Sequence, residues 1–193
     1  MKLRSSVWAS WHNSKEFNHI VSDESQQAQF LTFQSLVKLP KKKVSIIEIG
    51  PFNAGLAKQI MHQFDVSSYT CVDDTACLTA CRETLSDYSN VSYIAIDEVA
   101  IATGTYDILI TNNCLSETTT EYAKYVINSF VGKCKHVFII DNFYMSSQFA
   151  PDINIDTYYE YLIDQLNSHY KVVYDELLDA GYNKRVIYAS NVK

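Results

Sequence analysis

Glycine and proline are scarce in this chain, 5 and 3 of its 193 residues. That scarcity excludes low-complexity linkers and argues for one domain rather than two, in a length that buries a substantial core. No stretch approaches the roughly 20 apolar residues of a membrane span. The opening MKLRSSVWASWHNSKEF lacks the continuous apolar centre of a secretory leader. Positive charge is also short. The net charge of −6 gives no footing for a nucleic-acid backbone, which needs a basic surface. Lys41, Lys42 and Lys43 form the one basic run and read as a solvated strand entrance. Cysteine is present but unpaired in pattern. Cys71, Cys77, Cys81, Cys114 and Cys134 make an odd count without a CxxC, so no disulfide framework is expected. Cys77 and Cys81 share one helix face, where core packing is preferred to a metal pair because no neighbouring ligand completes a set. The expectation is a reduced, cytoplasmic protein with no metal, no nucleic-acid partner and no membrane span.

What is present centres on Val44 to Leu56, VSIIEIGPFNAGL. Val44, Ile46, Ile47 and Ile49 suit a strand buried on both faces. Gly50 to Gly55 reads as a turn, and a helical pattern begins near Leu56. A strand, a glycine-bearing turn and a helix N-terminus, with acidic Glu48 near the strand's end, is how nucleotide-like cofactors are usually held.

Upstream, Trp8, Trp11 and His12 fall in a short helical or irregular segment, and residues 22–38 read as a helix with Phe30, Phe33 and Val37 at helical spacing. Residues 1–43 are therefore expected to form a helical segment or lid, and 44–193 the main domain. Downstream come a helix over 54–64, a strand over 68–72 ending in Asp73-Asp74, and a helix to about Leu85. A third strand, 91–96, closes at Asp97. A fourth, 106–111, exits through Asn112 and Asn113. A helix over 118–130 leads to a fifth strand, 136–140, that ends in Asp141-Asn142. A tyrosine-rich helix, 156–170, precedes two strands, 171–178 and 184–190, joined tightly enough to pair antiparallel.

Short βα spacings force parallel strands with right-handed crossovers. The expected fold is α/β: a Rossmann-like, doubly wound, mostly parallel seven-stranded sheet with an antiparallel C-terminal hairpin and helices on both faces. Ligands in such sheets bind beyond the carboxyl ends of the strands. Glu48, Gly50, Asp73, Asp74, Asp97, Asn112, Asn113, Asp141 and Asn142 all collect on that edge.

The succession EIGPFNAG, YTCVDD, AID, YDILITNN and FIIDN resembles the class I S-adenosylmethionine-dependent methyltransferases over about residues 44–190. The NNCLSE exit is loosely similar to bacterial sugar O-methyltransferases. The resemblance implies S-adenosylmethionine as cofactor. Gly50 and Gly55, with Pro51 and Phe52 between them, would shape the turn around its methionine part, and Glu48 would anchor the turn or the cofactor's amino group. Asp73 would accept from the ribose hydroxyls with Asp74 beside it, Asp97 would lie by the adenine amine, and Asn112 and Asn113 would line the reacting end. One departure stands out. The family's turn usually has glycine where Phe52 stands, and Pro51 removes a donor N–H.

Methyl transfer to a hydroxyl needs alignment, exclusion of water and a base. His12 is a candidate base, against the alternative of a surface histidine beside two tryptophans. Asp141 is the other, against that of a helix or loop cap. Tyr158, Tyr159 and Tyr161 would stack on a sugar or pack their helix, with packing preferred. Tyr144 and Phe149 are better placed for an acceptor. The leading expectation is O-methylation of a small hydroxylated molecule such as a sugar, in a chain compatible with a homodimer. The alternatives are a non-catalytic, cofactor-binding partner subunit and an NAD(P)-dependent oxidoreductase. The last is weakest, since the chain has neither GxGxxG nor a suitable Tyr-x-x-x-Lys.

Overall fold

The computed structural model describes residues 23–39, 43–102, 104–115, 118–143, 155–179 and 184–191. In chain order they form α1 (Asp23–Leu36), β1 (Val44–Ile49), α2 (Gly55–Gln63), β2 (Val66–Asp73), α3 (Thr75–Thr84), β3 (Val91–Ala95), a 3-10 turn (Ile96–Ile101), β4 (Tyr106–Asn112), α4 (Thr120–Phe130), β5 (Cys134–Asn142), α5 (Ile155–His169), β6 (Lys171–Asp179) and β7 (Lys184–Ser190). The seven strands make one sheet in the order β3-β2-β1-β4-β5-β7-β6. The first five run parallel, and β7 enters antiparallel between β5 and β6. The α/β architecture read from the strand–helix alternation is therefore the one observed. Strand ends move by one or two residues, and the first turn of the 118–130 helix starts later, at Thr120.

Alternation along each strand feeds two cores, one per sheet face. On one side Ile46, Tyr69, Cys71, Ile108, Phe138 and Tyr188 pack against Phe30, Phe33, Leu56, Ile60 and Leu78 of α1, α2 and α3. On the other, Ile47, Ile49, Leu109, Val137 and Ile187 meet Val126, Ile127, Leu162 and Leu166 of α4 and α5. The parallel strands read as near-continuous apolar runs because both of their faces are covered. α1 is part of the first core: the Phe33 ring meets Phe138 edge-on with centroids 5.1 Å apart.

β1 and β4 are neighbours, yet β1 continues to β2 on its other side. This is the sheet's switch point. The connections leaving β1 and β4 part in opposite directions there and open a crevice between them. The two outer strands differ. β3 has five residues. β6 has nine, and its pairing with β7 slips register between Val172 and Tyr174 and again between Leu177 and Asp179.

Candidate site at the carboxyl edge of the sheet

The β1–α2 turn is built on left-handed backbone. Gly50 has φ +79°, Phe52 +55° and Ala54 +60°. Only the first is a glycine, so two L side chains occupy a conformation that costs each of them about 1 kcal/mol or more. Such strain persists only when the surroundings over-determine it. Here the Ala54 N–H donates to the Pro51 carbonyl at 2.8 Å, the Phe52 N–H to Asp73 Oδ2 at 3.0 Å, and the Cys81 thiol to the Phe52 carbonyl at 3.1 Å. Phe52 thus takes over a glycine's backbone geometry, and Ala54, which the sequence pattern did not single out, does the same.

Gly50 is tightly overlaid. A Cβ on it would lie 2.2 Å from Cys114 Cβ and 2.6 Å from Cys114 Sγ. The side chain against this glycine is therefore Cys114, from just past the β4 exit. Gly55 has a different neighbour: its Cβ would fall 1.6 Å from Oε1 of Gln26 on α1.

Asp73, at the end of β2, ties the turn to the next helix. Its second oxygen accepts the Asp74 N–H at 2.7 Å. Asp74 in turn caps α3, accepting the Cys77 N–H at 2.8 Å, as its position before Thr75 predicts. Asp73, Asp74 and Cys77 bring ligand-type atoms within 4.8 Å of one another, but backbone donors already occupy both oxygens of Asp73 and one of Asp74. Asp97 is exposed on the 3-10 turn after β3. Asn112 is half-buried and donates from Nδ2 to Gln29 Oε1 at 2.8 Å. Asn113, at φ +48°, donates to Asn112 Oδ1 at 3.0 Å. Among the described residues its own Oδ1 is buried without a partner, as is Oγ1 of Thr111, two residues earlier on β4.

Glu48 is placed differently from the other strand-end residues. It is 1% exposed, on the α2–α3 side of the sheet, and accepts from the Tyr69 hydroxyl at 2.6 Å. Burial pushes its carboxyl up to about 7, the tyrosine's bond opposes this, and the charge of Asp73 adds to it. Tyr69 is itself raised well above its ordinary value, by burial first and by Glu48 next. Asp141 is fully buried in β5. Trp8, Trp11, His12, Lys41, Lys42, Tyr144 and Phe149 lie outside the described residues. His136 is a core residue: burial lowers its pKa, and it is bonded to the Tyr188 hydroxyl at 2.9 Å.

Tyr159 and Tyr161 of α5 pack, as preferred from sequence. Tyr159 donates to Asp175 Oδ2 at 2.5 Å, meets the Phe143 ring at 5.1 Å and lies under the Arg185 guanidinium, 4.9 Å from its ring centre. Tyr161 is bonded to Asn128. Cys71, Cys77 and Cys81 are buried thiols. Two site residues escaped the sequence reading altogether, Gln26 and Gln29. Their only signal is negative: the apolar stripe of α1 turns to glutamine at its N-terminal end, and nothing local says what those amides meet.

A bound adenosyl group asks for acceptors at its ribose diol and for polar partners at its amine. A carboxylate has about four lone-pair directions, so Asp73 keeps acceptor capacity beyond its two backbone donors. Asp97, which is exposed, offers a second carboxylate. These acceptors would suit the hydroxyls and amine of such a group, with Cys114 covering the floor at Gly50.

No family model and no curated protein matches the sequence. Solved structures do match. The N-methyltransferase NodS from Bradyrhizobium japonicum, determined with S-adenosyl-L-homocysteine, is similar with a TM-score of 0.68 and 13% identity, over 96% of this chain and 98% of that one. Magnesium protoporphyrin IX methyltransferase (ChlM) from Synechocystis PCC 6803, also with that product bound, has a TM-score of 0.62 and 10% identity, over 88% and 83%. The pyocyanin biosynthetic protein PhzM has a TM-score of 0.63 and 14% identity, over 96% of this chain, which spans 61% of PhzM. At these identities the likeness is one of fold. Among the described residues, no helix is long and apolar enough to cross a membrane.

Proposed function

We propose that this chain, which carries the fold of the class I S-adenosylmethionine-dependent methyltransferases, binds S-adenosylmethionine at the carboxyl edge of its sheet and transfers the methyl group to a small hydroxylated acceptor. The observation that carries the reading is Asp73. Its carboxylate fixes the backbone of the β1–α2 turn at Phe52 and the entry to α3 at Asp74. It thus couples a ribose acceptor to the turn that would cradle the methionine part. Gly50, Pro51, Phe52 and Gly55 shape that cradle, Asp97 meets the adenine end, and Asn112 and Asn113 face the reacting end. The bound cofactor supplies a methyl group already activated on a sulfonium, so the protein's task is alignment and exclusion of water.

A sugar is the first acceptor to assay, on the strength of the β4 exit alone. Asp141 and His12 are the proton acceptors to test. Asp141 is buried, so its part in the chemistry requires the acceptor to reach the end of β5 in a closed site.

A second reading has a specific observation behind it. Cys114 over Gly50 and side chains at two of the three left-handed turn positions suit a chain that keeps the fold while binding cofactor weakly, as a partner subunit. Titration calorimetry with S-adenosylmethionine and S-adenosylhomocysteine decides between them. Micromolar binding of both, with methyl transfer to a hydroxylated acceptor, supports the enzyme. Heat from neither ligand defeats it.

A further inference from the structure

We infer that Gln26 and Gln29 of α1 are positioning residues of the strand-end site, holding the β1–α2 turn and the β4 exit in register for the adenosyl cofactor. The inference rests on the cofactor reading above and extends it to an element outside the strand–turn–helix pattern.

The inner face of α1 is apolar at Phe30, Phe33 and Val37, each almost fully buried. One turn toward the N-terminus the same face becomes amide. Gln29 is 7% exposed, and a carboxamide so buried is costly unless it is bonded. Its Oε1 accepts from Asn112 Nδ2 at 2.8 Å, across 83 residues of sequence. Gln26, one helical turn earlier, donates from Nε2 to Asn53 Oδ1 at 2.9 Å. One rigid helix therefore bonds to the loops on both sides of the sheet's switch point.

The polarity of the Gln26 bond is fixed. Asn53 Oδ1 also accepts the Gly55 N–H at 3.2 Å, so the atom facing Gln26 is an oxygen and Gln26 must present its NH2. Its carboxamide also lies on the bare Cα of Gly55, so it presses the turn as well as bonding to it. Beyond Gln29 the bonds continue. Asn112 accepts from Asn113, whose Oδ1 has no partner among the described residues. The chain of amides that begins on α1 ends in an acceptor that is buried and has no partner among the described residues.

Gln26 acts as donor and Gln29 as acceptor, so the same substitution separates them. Gln29→Glu keeps an acceptor for Asn112, while Gln26→Glu sets carboxylate oxygen against Asn53 Oδ1. The experiment measures S-adenosylhomocysteine affinity by titration calorimetry on the full chain, with hydrogen–deuterium exchange as a ligand-independent second readout. Gln26→Glu and Gln29→Leu are each expected to weaken binding about tenfold, the order of one lost positioning hydrogen bond. Gln29→Glu is expected to stay within about twofold of wild type, as is Thr32→Ala, which alters the exposed face of the same helix. Exchange is expected to rise in residues 50–55 for the first variant and 112–114 for the second, with the β6–β7 pair unchanged. A wild type that binds, with Gln26→Glu binding equally well or with Gln29→Glu and Gln29→Leu losing equally, overturns this inference alone. A wild type that does not bind overturns the cofactor reading and this one together.

Discussion

Replacing Glu48 by glutamine tests the electrostatics beneath the site. The Glu48 carboxyl stands at about 7 in the folded protein against 4.5 when unperturbed, chiefly because it is buried. A carboxyl raised by folding binds its proton more tightly in the folded state. Its contribution is therefore fully present below pH 4.5 and is lost as pH rises toward 7, after which it stays lost. About two and a half decades of proton concentration at about 1.4 kcal/mol each make a deficit of about 3 kcal/mol at pH 8. A glutamine at this position cannot ionise and still offers an oxygen to the Tyr69 hydroxyl. Urea unfolding of both proteins at pH 5, 6, 7 and 8 isolates this contribution, because every other carboxylate cancels in the difference. Glu48→Gln should gain on wild type from pH 5 to about pH 7 and level off above it, by about 2.5 kcal/mol across the series. A difference between the two proteins that stays flat from pH 5 to 8 would refute the upward shift of the Glu48 carboxyl.

Tyr69→Phe removes the bond that opposes the shift, so the pH at which stability is lost should move upward in the same titration. Gly50→Ala sets a Cβ against Cys114 at a left-handed position. Strain and overpacking together cost about 3 kcal/mol, a fall of roughly 6–12 °C in thermal midpoint. Adding Cys114→Gly should recover the steric part and leave the backbone part; a midpoint already unchanged in the single variant would show the glycine is not needed. Asp73→Asn turns an NH2 toward a backbone N–H and should cut S-adenosylhomocysteine affinity at least tenfold, measured by calorimetry. Phe52→Gly restores the residue that its φ favours and should raise that affinity; an unaltered value would place the Phe52 side chain outside the cofactor's space.

The strands were legible because burial on both faces writes itself as β-branched runs, and most helices by their apolar spacing, whereas the choice between Asp74 and Thr75 as the cap of α3 came from the structure. The strand-end residues were legible as a row, since topology alone brings them to one edge. Their individual partners were not. Glu48 lies in a row of isoleucines, and only the pairing of β1 with β2 shows that Tyr69 claims it. Gly55 reads as a cofactor glycine, yet the atom closest to its missing side chain comes from α1. Phe52 looks like a steric intrusion in a one-dimensional pattern. In three dimensions its backbone keeps the glycine's torsion, held by Asp73 and Cys81.

The uneven margins of the sheet bear on how this molecule keeps to itself. Val173 and Leu177 are exposed on the outermost strand, where a straight ribbon would invite a neighbour's backbone to zip alongside. The two slips in β6 kink that ribbon, and at the far side β3 is too brief to template anything. Crowded copies should thus resist fibrous stacking, and deleting Val173, which removes the first of the two slips, should weaken that resistance.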